Sequence, residues 1–253
     1  MTLDLRSARS LSLGERAELF TAAYEGYVVP FQLDEARLAF MERSFDVDLD
    51  ASRIAFRDGE PIGLANLAVR GDEGWIAGVG VVAAARRGGV GEQLMRAVHE
   101  EARARGLARL WLEVIVENTG AFALYEKLGY RTVQDVEVWT LPAVAGEPEG
   151  REVPAAEVRL PERHEPWQRA DVTLANYDDV RGLVTDSGAM LFCVRATAQL
   201  QQYAGDPEPL LRALRTFGDV SVLNLPTSDP AAAVLRELGG TVTIRQHEML
   251  LEL

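Results

Sequence analysis

The sequence predicts an α/β chain in which one fold occurs twice. Three observations carry this. Paired turn signals separate apolar strands in residues 52–82. A strand–helix–strand–helix–strand order fills residues 75–141. The same order returns in residues 190–253, beyond a segment rich in Pro, Gly, Ala and Glu at 142–151.

Ser12 and Glu15 have capping-box spacing, and Leu13, Ala17 and Phe20 follow at helical intervals. Residues 23–33 are aromatic and interrupted by Gly26 and Pro30, which predicts a loop. A second helix is expected at 34–41. Strands are expected at 52–57, 61–70 and 75–82, with Asp58-Gly59 as a hairpin turn. Gly78 and Gly80 inside the third strand predict a bulge or a close backbone approach. Residues 90–105 form the clearest helix. Val90, Leu94, Met95, Val98 and Ala102 make its apolar stripe, and Gly106 is placed to cap it. A strand at 110–116, a short helix at 118–128 and one or two strands at 130–141 complete the first copy. The second copy has strand signal at 190–203, helix at 207–217, strand at 220–225, helix at 230–238 and strand at 241–253. The division is therefore 1–142, a linker at 143–152, and 153–253.

Composition narrows the function. The 253 residues carry a net charge of -13, which argues against nucleic acid; acidic balance is a common solubility device first, and a means of drawing in a cationic acceptor second. No run approaches the roughly 20 apolar residues of a membrane span, so no membrane partner is expected. No signal segment is visible, and the single cysteine, Cys193, excludes an intrachain disulfide and a cysteine-based zinc site. These features point to the cytoplasm. His99, His164 and His247 have no partner at ligand spacing, so no metal is expected.

Arg86-Arg87-Gly88-Gly89-Val90-Gly91 joins a strand to the clearest helix. Glycines let a ligand approach the backbone. The first N–H groups of a helix lack intrahelical partners and carry the positive end of its dipole. An anion such as a pyrophosphate fits there, with charge added by Arg86 and Arg87. A P-loop would need Gly-Lys-Ser/Thr, and a dinucleotide turn a different glycine spacing.

Arg86-x-x-Gly89-x-Gly91, preceded by Val81 and Val82, resembles the acyl-CoA signature of the GNAT superfamily of N-acyltransferases. Asn118-x-x-Ala121-x-x-Leu124-Tyr125-x-x-Leu128-Gly129-Tyr130 resembles its second signature. The resemblance covers residues 11–141; over 153–253 it is topological. One departure is Ala83, where the family often has proline; backbone donors are unaffected. The resemblance implies an α/β (α+β) fold with a mixed, mostly antiparallel sheet flanked by helices, duplicated in tandem with a degenerate second copy.

It also implies N-acetyl transfer from acetyl-CoA to a primary amine by direct attack; the alternative is a non-catalytic CoA-binding or regulatory protein. The pyrophosphate would rest on amides of Arg87, Gly88, Gly89, Val90 and Gly91, with Glu92 at the margin. The pantetheine arm would lie between the strands ending near Val82 and Val116, and the thioester carbonyl would bond a backbone N–H near Val81. Tyr125 is the expected general acid, or a packed helix tyrosine. Asn118 bonds the pantetheine or caps its helix. Glu113 is the expected base and Glu117 its rival; a structural carboxylate is the competing role for both. Tyr24, Tyr27 and Phe31 line the acceptor pocket or belong to the core. The acceptor is a small-molecule amine or a peptide.

In the second half the matching turn is Ala204-Gly205-Asp206-Pro207, without the signature and with an acid where phosphate would sit. That half is expected to pack on the first, wall the acceptor site or form a homodimer.

Overall fold

A computed structural model describes residues 3–27 and 32–253. Phe31 lies outside the described residues. The chain forms two compact units, residues 1–133 with 248–253, and residues 134–247.

The first unit opens with β1 (Asp4–Ser7), then α1 (Leu13–Ala23) and α2 (Glu35–Ser44). The capping box of α1 forms as expected: the Glu15 N–H donates to Ser12 Oγ at 3.3 Å, and the Ser12 N–H to Glu15 Oε2 at 2.7 Å. Strands β2 (Arg53–Arg57), β3 (Glu60–Arg70) and β4 (Glu73–Val81) follow as an antiparallel meander. Then come α3 (Val90–Ala104), β5 (Arg109–Ile115), α4 (Thr119–Lys127) and β6 (Arg131–Leu141). β1 pairs with β2 and was not anticipated; four residues are too few for an alternation to register. The sheet order is β1-β2-β3-β4-β5, completed by residues 248–252 of the last strand. One face packs on α3 and α4 through Leu94, Met95, Val98 and Tyr125. The other packs on α1 and α2 through Phe20, Ala23 and Leu38.

Both readings of the β4 glycines hold. In the β3–β4 ladder Asn66 pairs with Gly78 and Leu67 with Ile76, so Ala77 is an extra, bulged residue. Gly80 also admits α1: an added Cβ would stand 2.7 Å from the Ala23 Cβ. Replacing Gly80 by Val is expected to cost about 1–3 kcal/mol through overpacking and to lower Tm by several degrees in thermal denaturation. An unchanged Tm would disprove the close approach.

The second unit contains residues 134–141 of β6, then β7 (Arg151–Pro154), α5 (Asp171–Ala175), β8 (Arg181–Thr185), β9 (Gly188–Val194) and β10 (Ala198–Gly205). It continues with α6 (Pro207–Leu214), β11 (Val220–Pro226), α7 (Pro230–Glu237) and residues 241–247 of β12 (Thr241–Glu252). Its strand order is β12-β6-β11-β10-β9-β8-β7. The single strand expected at 190–203 is a hairpin, closed where the Arg195 N–H donates to the Thr197 carbonyl at 3.0 Å. Arg195-Ala196-Thr197 holds no Gly, Asn or Pro, so the turn had no sequence signal.

The strands of both units pair mostly antiparallel, with β4–β5 parallel in the first and β10–β11 parallel in the second. Their strand order repeats. The units are discontinuous in sequence, whereas the sequence division was contiguous. Most of β6 runs with the second unit and the end of β12 with the first. A strand's apolar alternation is blind to which sheet it enters.

Candidate active site

The parallel pair β4–β5 is hydrogen-bonded only from Glu73–Trp75 to Arg109–Trp111. Past those residues the strands part. The Val82 N–H donates to the Ile62 carbonyl at 3.0 Å. Strand alternation then turns the N–H and C=O of Val81 away from β3 and toward the gap. A cleft of about 590 Å³ opens there. Of the sequence-predicted residues, Val81, Arg86, Arg87, Gly89, Val90, Gly91, Glu92, Asn118 and Tyr125 line it, and Val82, Gly88 and Glu113 do not.

The turn into α3 is shaped by left-handed backbone at Arg87 (φ 63°) and Gly89 (φ 75°). Gly89 is the N-cap and supplies no side-chain acceptor. The first bond of the helix is Gln93 N–H to Gly89 C=O at 3.1 Å. The N–H groups of Val90, Gly91 and Glu92 therefore start the helix without a side-chain cap, at its positive end.

Arg86 differs from expectation. Its Nε donates to the Val81 carbonyl at 2.9 Å, and its guanidinium also reaches the carbonyls of Ala23 at 3.1 Å and Glu25 at 2.6 Å. The side chain ties the end of α1 to the end of β4 and does not hang free as a phosphate ligand. Arg87 keeps its place on the cleft wall. Glu92 is turned aside: it accepts from Lys127 at 2.7 Å and Arg96 at 2.9 Å. Those bonds, that from Lys127 first, hold its carboxyl below the usual range.

Asn118 caps α4, accepting from the Ala121 N–H at 3.2 Å, and its amide donates to the Tyr27 hydroxyl at 3.2 Å. Tyr125 is buried, with its ring edge-on to Tyr130 at 5.8 Å. Burial, and then the neighbouring Tyr27, push its phenol pKa upward. It therefore remains a proton donor at any ordinary pH. Glu113 instead accepts from the Trp75 indole at 2.8 Å, on the face where Phe45 packs edge-on to that ring. Strand alternation puts Glu113 beside Trp111, the partner of Trp75, and so outside the cleft. Glu117 lies on the cleft wall. Among the described residues, no group of three His, Cys, Asp or Glu could hold a metal ion.

Behind Tyr125, His99 Nε2 meets the Tyr130 hydroxyl at 3.0 Å. Burial pushes the His99 pKa down from 6.5 to about 4. The unfolded chain then binds the extra proton first. Stability is complete above pH 6.5 and falls as pH drops toward 4, by at most about 3 kcal/mol. Urea unfolding at pH 7 and pH 4.5 is expected to show that loss, and His99→Leu to remove its share of it.

The second unit repeats the plan and fills the gap. β10 and β11 pair in parallel only over Ala198–Leu200 with Val220–Val222, and Gln201 is the bulged residue. Arg169, wholly buried, donates from Nε to the Gln201 carbonyl at 2.6 Å. The Tyr203 hydroxyl reaches across to Asp229, the N-cap of α7. At α6, Asp206 accepts from the Glu208 N–H at 3.0 Å, and Pro207 has no N–H to give. A helix end that is capped by a carboxylate repels phosphate.

An open cleft, a bare helix end and a buried phenol meet at this site. Residues 16–130 match the acetyltransferase (GNAT) family. A stretch of 59 residues is 41% identical to the ribosomal protein bS18-alanine N-acetyltransferase of Escherichia coli strain K12. It covers 23% of this chain and 40% of that relative, so the chain spans less than half of the relative's length. The fold is also that of a GCN5-related N-acetyltransferase from Sphaerobacter thermophilus, with a TM-score of 0.70 and 19% identity over 99% of this chain and 95% of that one. A tandem GNAT protein from the clavulanic acid biosynthesis pathway gives a TM-score of 0.65 and 15% identity, over 99% and 98% of the two chains. Residues 16–130 thus resemble the GNAT acetyltransferase family, and the chain shares the fold of these two solved structures.

Proposed function

We propose that the protein is an N-acetyltransferase that moves an acetyl group from acetyl-CoA to the primary amine of an acceptor. The observation that carries this is the convergence of the uncapped α3 turn, the gap-facing backbone of Val81 and the buried Tyr125 phenol on one cleft.

The pyrophosphate rests on backbone N–H groups from Arg87 to Gly91. The pantetheine arm continues the sheet alongside β4, and a gap-facing N–H of that strand polarises the thioester carbonyl. The amine attacks the carbonyl carbon, the C–S bond breaks, and the Tyr125 hydroxyl gives its proton to the departing thiolate. The ammonium proton passes to water or to Glu117, since Glu113 is engaged by Trp75, and Tyr125 takes a proton back from water. The acceptor is a small amine or a peptide α-amine, drawn by the net charge of -13. Such a reaction belongs in the cytoplasm, where acyl-CoA is supplied and a lone thiol such as Cys193 stays reduced.

Release of free thiol from acetyl-CoA across an amine panel tests the activity; binding without turnover by any amine would favour a regulatory CoA-binding protein. Titration calorimetry on the full chain is expected to give one acetyl-CoA per chain. Two would contradict the filled gap of the second unit.

A further inference from the structure

Beside the donor cleft, packed under the β4 residues that line it, stands Tyr24, which the proposed reaction does not use. Gly78 and Gly80 lie two apart on β4 and present the same face to α1. An added Cβ on Gly80 would stand 3.1 Å from the Tyr24 ring, and one on Gly78 would stand 3.2 Å from the Tyr24 hydroxyl oxygen. The phenol therefore lies along the strand, and its oxygen reaches the level of Val79, whose backbone N–H donates to it. Phe20 stacks on the ring at 4.6 Å and 8°, and Tyr27 meets it edge-on at 5.1 Å. Tyr27 is held in turn by the Asn118 amide. The ring is fixed from both sides.

Backbone direction makes this position a ruler. Val81 faces the gap, and two residues back Val79 does too. A donor anchored by its pyrophosphate at the α3 turn passes Val81 first and Val79 last, about 7 Å deeper. The thioester end then arrives where the Tyr24 oxygen stands. Tyr125, from α4, lines the donor cleft together with Val79; burial first, and then Tyr125 and Tyr27, raise the Tyr24 phenol pKa. Tyr24 lines a second cavity of about 640 Å³, which shares Gly26 with the donor cleft. Val79, at whose level the Tyr24 oxygen lies, lines the donor cleft.

We infer that Tyr24 is the acyl stop of this enzyme, a specificity-determining residue whose phenol admits an acetyl group and excludes longer acyl chains. The inference rests on the acyl-CoA reading above. An acetyl group ends at Val79, while each further methylene has to enter the volume of the ring. One methylene in a tight pocket is worth roughly tenfold or more in discrimination.

The test is calorimetric binding of CoA, acetyl-CoA and hexanoyl-CoA to the full chain and to its Tyr24→Ala, Tyr24→Leu and Tyr24→Phe variants. The wild type is expected to bind hexanoyl-CoA at least tenfold more weakly than acetyl-CoA. Tyr24→Ala is expected to erase that ratio, and Tyr24→Phe, which keeps the ring, to preserve it. Tyr24→Leu keeps an apolar side chain against Phe20 but is shorter than the ring; it is expected to erase the ratio and decides the matter if the alanine variant does not fold. A ratio unchanged in the alanine and leucine variants, or equal binding of both thioesters by the wild type, overturns the stop and leaves the donor site standing. Failure of the wild type to bind any of the three overturns the acyl-CoA reading, and this inference with it.

Discussion

Tyr125→Phe is expected to lower kcat/KM about 100-fold with any accepted amine. The substitution removes the hydroxyl and nothing else. The ring keeps its edge-on contact with Tyr130 at 5.8 Å, so Tm should stay within a degree or two of wild type. General acids contribute roughly 10²–10⁴-fold. The lower end applies here because a thiolate, with a conjugate-acid pKa of about 8.5, leaves tolerably well without help. The loss should fall on kcat, with KM for acetyl-CoA nearly unchanged, because the proton is transferred only as the C–S bond breaks. The pH profile gives an independent reading. Burial raises the Tyr125 pKa, so the acid stays protonated beyond its ordinary value of about 10. Wild-type kcat/KM should rise with pH as the amine loses its proton, and should show no falling limb below pH 10. Full activity in the phenylalanine variant would remove Tyr125 from the chemistry and leave it a packing residue.

What could be read from the sequence divides by range. The α3 turn was legible because its demands are local: a strand, then glycines, then an amphipathic helix, all within one short segment. The α1 cap and the β4 bulge were legible for the same reason. Glu113 was misleading because its partner is Trp75, 38 residues away, and only the β4–β5 register brings them together. Arg86 was read as phosphate charge, yet its partners include Ala23 and Glu25, more than 60 residues earlier. The second half shows the same limit. Its blank turn was visible as Asp206-Pro207, but the filling of its gap depends on Arg169 meeting Gln201 and on Tyr203 meeting Asp229, pairs far apart in sequence. The shared strands β6 and β12 left no trace in composition at all. Tyr24 appeared only as one aromatic in a loop; its place at Val79 required the two β4 glycines to be seen facing α1.

Gly91→Leu should separate the donor site from the fold most cleanly. Gly91 sits in the first turn of α3 with ordinary helical backbone, so no φ strain follows from a side chain there. An added Cβ would meet the Val81 side chain at 3.8 Å and the Leu124 side chain at 3.9 Å, both normal contact distances. The folded chain can accept the change, and leucine is the better helix former by about 1 kcal/mol. Past the Cβ, however, the side chain enters the cleft between β4 and α4, over the amides that receive the pyrophosphate. Acetyl-CoA affinity is expected to fall at least 100-fold in calorimetry while Tm holds or rises. Gly89→Val is expected to lose affinity as well, but with a fall in Tm. Its φ of 75° forces a β-branched residue into left-handed backbone, at about 1–2 kcal/mol. The pair of variants thus carries opposite stability signs and one binding sign. A Gly91→Leu protein that binds acetyl-CoA as wild type does would place the donor elsewhere, and with it the acyl stop and the proton from Tyr125.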